Sequence, residues 1–154
     1  MRAHTVVVGY DGSSDAQRAL DAATDHVADD GVVHVVTAFD QPTRHELSRM
    51  LSTMPVEFRD TYTVDAAPRG YLHDAERMLE RRGVRHEGHF VEDHPASAIL
   101  DVADSVGADL IVIGTRGLGR VERFLRGSVS ARVANLARTS LMMVHHDEDE
   151  HEAA

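Results

Sequence analysis

Gly114 and Gly117 stand three positions apart, nine residues intervene, and Gly127-Ser128 then opens a segment with helical spacing. Glycine has no Cβ, so positive φ angles are open to it and backbone N–H groups can approach an anion unobstructed. A helix N-terminus adds unpaired N–H donors and the positive end of the helix dipole, and the Ser128 hydroxyl adds one more donor. The run Gly114-Thr115-Arg116-Gly117-Leu118-Gly119, closed by Gly127-Ser128, therefore has the chemistry of a phosphate cradle that needs no lysine. A second polar turn, Asp11-Gly12-Ser13, follows the first apolar run. Its aspartate could serve a ligand at a strand end, or cap a helix or steady a turn, since Asp favours both of the latter. Two other phosphate motifs fail. A Walker A loop needs a lysine before its Ser/Thr, and this chain contains none. A dinucleotide fingerprint fails because Gly119 is followed by Arg120-Val121-Glu122 where a glycine belongs.

The elements that must hold these loops alternate. Thr5–Tyr10 is a continuous apolar run, the pattern of a strand covered on both faces. Ser14 with Gln17 reads as a capping box, and Ala16, Ala19, Leu20, Ala23 and Val27 repeat at helical spacing up to Asp29-Asp30-Gly31. A second strand spans Val32–Phe39. Between Asp40 and Ala67 only His45–Leu51 suggests a helix, because Pro42, Pro55 and Pro68 interrupt the region. Arg69–Arg82 is a clearer helix, with Leu72, Ala75, Met78 and Leu79 inward. Val84–Val91 is a strand whose charged residues suit a sheet edge. Pro95 opens a helix burying Ala96, Ile99, Leu100, Ala103 and Val106 and ending at Gly107. Leu110–Ile113 reads as a central strand, Ser128 starts a helix with Val129, Val133 and Leu136 on one face, and Leu141–Val144 is the last strand. Such alternation predicts an α/β fold, an open five-stranded parallel sheet with helices on both faces. Ligands of such sheets sit beyond the carboxyl ends of the strands, where the strand order reverses.

The chain has 154 residues, enough for one ordinary domain. It has no cysteine, which excludes disulfides, thiolate zinc sites and cysteine nucleophiles. No apolar run is long enough to span a bilayer, and the N-terminus carries no apolar signal region, so the expectation is a cytoplasmic protein without a membrane partner. The net charge is −10, which opposes binding to nucleic acid. All 16 basic residues are arginine. A halophile-like acidic surface adapted to a salty cytoplasm and GC-rich codon usage both account for that bias, and both readings stand.

At the glycine loop the sequence resembles the universal stress protein family, UspA being its type. The family's ATP-binding signature, G-x2-G-x9-G-S/T, reads here GTRGLGRVERFLRGS, and the following Val129-Ser130 also looks like family members. So does the opening Val-Gly-Tyr-Asp-Gly-Ser, with its aspartate closing the first strand. The resemblance implies a Rossmann-like sheet of strand order 3-2-1-4-5, formed by residues 1–146, while 147–154, too charged to fold alone, read as an acidic flexible tail. It implies a stress-response protein that binds ATP. Because backbone donors recognise any phosphate, AMP, ADP and cyclic AMP stay open. With no lysine and no placed general base at the loop, hydrolysis is expected to be slow or absent. The cofactor-binding residues carried over are Asp11, Gly12, Ser13, Gly114, Thr115, Arg116, Gly117, Gly119, Gly127, Ser128, Val129 and Ser130. Asp11 would lie near the ribose and phosphates, in one reading through Mg, and Thr37 and Ala38 would face the adenine. The resemblance further implies a homodimer joined along Leu141–Val144, an apolar strand at a sheet edge. Alternatives in a different class are a slow ATPase and an interaction dimer that binds no nucleotide.

Arg116, Arg120, Arg123 and Arg126 are the dense positive cluster of an acidic chain. They suit a phosphate grip or a solvated face paired with nearby acids, and both readings remain open. His145, His146 and His151 fit a solvated tail better than a weak metal site. His86 and His89 alternate poorly with any third ligand and read as exposed edge-strand residues.

Overall fold

The computed structural model describes residues 2–115 and 128–145, Ser128 by its backbone only. Its elements are β1 (Ala3–Gly9), α1 (Ser14–His26), β2 (Val27–Phe39), α2 (Arg44–Thr53), α3 (Val56–Arg59), α4 (Ala66–Arg81), β3 (His86–Glu92), α5 (Pro95–Val106), β4 (Leu110–Gly114), α6 (Ser128–Leu136) and β5 (Ser140–Val144). All neighbouring strands pair parallel in the order β3-β2-β1-β4-β5, as expected. Residues 116–127 and 146–154 lie outside the described residues, and with them Arg116, Gly117, Gly119 and Gly127.

The apolar runs divide by parity between two cores. Val6, Val8, Val33 and Val35 face α1 and α4, where Ala16, Leu20, Ala75 and Leu79 meet them. Val7, Val36, Ile111 and Ile113 face α5 and α6, packing on Ile99, Val102, Val129 and Val133. Each such aliphatic side chain is worth about 1.5–3 kcal/mol when fully buried. That is why β1 and β4 read as unbroken hydrophobic stretches rather than as alternating ones. Among the described residues no helix is long and apolar enough to cross a membrane.

Four local expectations change. Ser13, not Ser14, caps α1: its Oγ accepts from the Ala16 N–H at 3.1 Å, so Ser14 becomes the first helical residue. The Ser14–Gln17 box does not form, and the Gln17 side chain bonds the Tyr10 hydroxyl instead. The helix stops at His26, and Val27 is already extended, paired with Ala3 in a β2 that starts five residues early. The ladder is then interrupted until Thr5 meets Val32. Gly31 makes this possible, since a Cβ there would lie 2.8 Å from the His4 carbonyl oxygen. Pro68 does not delay α4, which begins at Ala66. In the first turn proline's missing N–H has no helical partner to lose. Finally, Leu136 is 56% exposed, because α6 ends there and its last residue escapes the core that holds Val129 and Val133.

The stretch 40–65 folds as α2 and α3, neither with a buried residue. Thr43 and Glu46 supply a reciprocal capping box, which accounts for a helix that little packing supports.

Candidate functional site

Strand order reverses between β1 and β4. From β1 the chain works outward through β2 to β3, and from β4 it works the other way to β5. Their carboxyl ends therefore border the crevice where ligands of open α/β sheets sit. Both polar turns singled out in the sequence arrive there: Asp11-Gly12-Ser13 leaves β1, and Gly114-Thr115 ends β4.

The β1 end is tightly fixed. The Tyr10 N–H donates to the Val36 carbonyl at 2.9 Å, and the Thr37 hydroxyl donates to the Tyr10 carbonyl at 2.8 Å. Thr37 is 1% exposed, so its side chain is engaged in joining β1 to β2. Ala38, half-buried, follows it near the carboxyl end of β2. Burial holds the Tyr10 phenol above its ordinary value, with the Asp74, Asp11 and Asp21 carboxylates acting in the same direction and the Gln17 hydrogen bond against it. Tyr10 is thus a neutral buried prop under the turn.

In the turn itself, Asp11 Oδ1 accepts from the Ser13 N–H at 3.0 Å, a local motif that leaves the other carboxylate oxygen to other partners. Gly12 has φ 79°, and a Cβ there would lie 2.5 Å from the Tyr71 ring. Ser13 then caps α1, whose N-terminus, the positive end of the helix, follows directly from the β1 turn.

Opposite, Gly114 is glycine for a packing reason. A Cβ at this position would lie 2.8 Å from the Asp15 carbonyl carbon, carbonyl oxygen and Cβ. The first turn of α1 thus rests directly on the end of β4. The Thr115 N–H donates to the Val144 carbonyl at 3.1 Å, and its hydroxyl to the same oxygen at 3.4 Å. That ties the start of the glycine loop to β5. Beyond the loop, Ser128 opens α6. The Val129 side chain is in the core, and Ser130 is buried beside it.

Asp15 escaped the sequence reading. It is 4% exposed, its Oδ1 lies 3.3 Å from Arg18 Nη1, and its Oδ2 is buried with no hydrogen bond among the described residues. A carboxylate on the first turn of a helix gains from the dipole there. The available signal was its place two residues after the capping serine, on the turn that abuts the crevice. Beyond the carboxyl end of β2 a further groove of ≈ 620 Å³ opens between Asp40 and α2, lined by Gln41, Pro42, Glu46, Arg49 and Met50.

Known proteins with this arrangement are recognisable. The sequence matches the Universal stress protein family over residues 3–145. The universal stress protein Rv1636 of Mycobacterium tuberculosis is 33% identical over 144 residues, covering 92% of this chain and 95% of that protein. Among solved structures, a universal stress protein in complex with cAMP is 30% identical, with a TM-score of 0.67, covering 96% of this chain and 100% of that one. A universal stress protein family protein from Arabidopsis thaliana with AMP bound shares the fold at 20% identity and a TM-score of 0.68, covering 95% of this chain and 94% of that one. The family match over residues 3–145 and the near full-length similarity to a curated member lead to one conclusion: this chain belongs to the universal stress protein family.

Proposed function

We propose that this protein binds an adenine nucleotide in the crevice between β1 and β4 and acts as a regulatory, stress-response protein rather than as an enzyme. The observation that carries the proposal is the convergence at the switch point of the Asp11 turn, the α1 N-terminus, the Gly114 loop start and the α6 N-terminus. A relative of 30% identity has been seen in complex with cAMP, which supports the nucleotide class. In this reading Gly114, Gly117, Gly127 and Ser128 hold the phosphates, with the backbone N–H groups at Val129 and Ser130 completing the cradle. Asp11 keeps one oxygen in its turn and offers the other to the ribose, or to a hydrated magnesium that tempers the phosphate charge. Backbone groups near Thr37 and Ala38 would meet the adenine, since the Thr37 hydroxyl is already engaged.

Hydrolysis is expected to be slow or absent, because the chain has no lysine to stabilise a transferring phosphoryl group. We further propose a homodimer through β5, an edge strand with Met143 42% exposed. The test is displacement of a fluorescent adenine nucleotide by ATP, AMP and cyclic AMP from wild type and Gly117→Val. Saturable binding lost in the variant supports the cradle. Equal binding by both proteins refutes it, and binding by neither favours an interaction dimer.

A further inference from the structure

Strands β2 and β3 pair with His34 beside Glu87 and Val36 beside His89. Partners in register share a sheet face, as do residues two apart, so His34, Glu87 and His89 all project on the side covered by α5. The same face is otherwise apolar there, with Val7, Val36 and Ile99 in the core and Val91 packed against it. Three titratable groups thus interrupt a hydrophobic surface, the buried one, His34, kept satisfied by a hydrogen bond to His89.

They converge. His34 Nδ1 lies 2.9 Å from His89 Nε2. Glu87 brings one carboxylate oxygen to 3.9 Å from the first nitrogen and the other to 3.9 Å from the second. One ligand atom from each residue falls within 4.8 Å of the others. His34 is buried, whereas the Glu87 side chain is 64% exposed and leaves the cluster open to solvent on one side. The expectation that His89 lacks further ligands is therefore corrected: the neighbouring strand supplies one, 55 residues away in sequence. His86 takes no part, its Nδ1 lying 2.9 Å from the Val84 carbonyl oxygen.

We propose that His34, His89 and Glu87 form a binding site for one divalent ion of the zinc, cobalt and nickel class, which clips the edge strand β3 to β2. Two imidazoles and one carboxylate suit these borderline ions, whereas calcium and magnesium prefer all-oxygen sites. With nitrogens 2.9 Å apart, metal bonds of about 2.05 Å would subtend an angle of about 90°, and opening to about 3.3 Å would give the tetrahedral angle. To join the two nitrogens, Glu87 must bring one oxygen to about 3.3 Å from both. Its two oxygens now each lie 3.9 Å from a different nitrogen, and the exposed side chain can turn to do so. Water fills the remaining positions. Burial, then the neighbouring His89, push the His34 imidazole below its ordinary value, with Glu87 opposing. The neutral form so favoured is the one that ligates metal. The cluster lies within the strands, apart from the crevice at their carboxyl ends, so the inference stands independently of the nucleotide reading.

The test uses the full chain carrying His145→Gln, His146→Gln and His151→Gln, which removes the tail histidines as competitors. It is titrated with Zn²⁺ by calorimetry and with Co²⁺ by visible absorption. The expected result is one ion per chain, weakened on the order of 100-fold by His89→Gln and at least about 10-fold by Glu87→Gln. Zn²⁺ should also raise the melting temperature of this background and leave that of His89→Gln unmoved. Should His34→Gln fail to fold, the other two variants carry the test. Absence of saturable binding overturns the proposal, as does unchanged affinity in His89→Gln. Loss in His89→Gln with no change in Glu87→Gln would reduce the site to a histidine pair and overturn the three-ligand assignment.

Discussion

Replacing Gly114 with alanine probes the joint between β4 and α1 on which the proposed cradle depends. The added methyl would meet the Asp15 carbonyl carbon, carbonyl oxygen and Cβ, each 2.8 Å away, where ordinary contact starts at 3.4 Å. Two of those atoms are backbone and cannot swing aside by a rotamer change. The first turn of α1 must therefore retreat by roughly half an ångström, an overpacking that costs about 1–3 kcal/mol. Gly114 has no positive φ, so backbone strain adds nothing, and losing a strand glycine returns about 0.5 kcal/mol of chain entropy. The net loss of about 0.5–2.5 kcal/mol corresponds to roughly 1–10 °C in melting temperature for a chain of this size. Urea denaturation with both midpoint and slope recorded is the assay. Gly83→Ala is the control: it has φ 68° and nothing within 4 Å, so it reports conformational strain alone. Since α1 carries the Asp11 turn, Gly114→Ala should also weaken nucleotide binding, whereas Gly83→Ala should not. Wild-type stability and affinity in Gly114→Ala would show that α1 does not rest on β4 in this way.

Other outcomes follow from the same geometry. Ser13→Ala removes the cap of α1 and should destabilise the protein by about 1 kcal/mol in urea melts. Thr37→Val leaves the buried Tyr10 carbonyl without its donor and should cost about 1–3 kcal/mol, while nucleotide affinity in the folded fraction stays near wild type. Asp11→Asn retains an oxygen for the Ser13 N–H and should leave stability unchanged, yet lower affinity for the magnesium–nucleotide complex in calorimetry. Met143→Arg places a charge on the exposed edge of β5 and should yield monomers by light scattering, where wild type gives dimers.

The alternation of strands and helices and the faces they bury were legible because hydrophobic parity and helix-stopping glycines carry that information locally, whereas the spatial order of the strands came with the family resemblance. Val6 and Val7 go to opposite cores, as an apolar run in a doubly covered sheet requires. The early start of β2 was not legible, since Val27 fits a helix face and a strand equally well. Only its pairing with Ala3 decides between them. Leu136 fits the apolar stripe of α6 by spacing, but the helix runs out before the core reaches it. At the crevice, Asp11 and Gly114 were visible as types at strand ends. The burial of Asp15 was not, because it depends on where α1 lands. The His34, Glu87 and His89 cluster was hidden for a related reason: register between strands is a long-range property.

Whether a nucleotide is held at the β1–β4 crevice is decided by calorimetric titration of ATP, AMP and cyclic AMP into wild type and Gly127→Val. Magnesium should be present, and two salt concentrations should be used. Wild type should bind at least one of these nucleotides saturably, one per chain, and Gly127→Val should bind none. Absence of binding to wild type under every condition, or equal binding to Gly127→Val, would contradict the proposed crevice site.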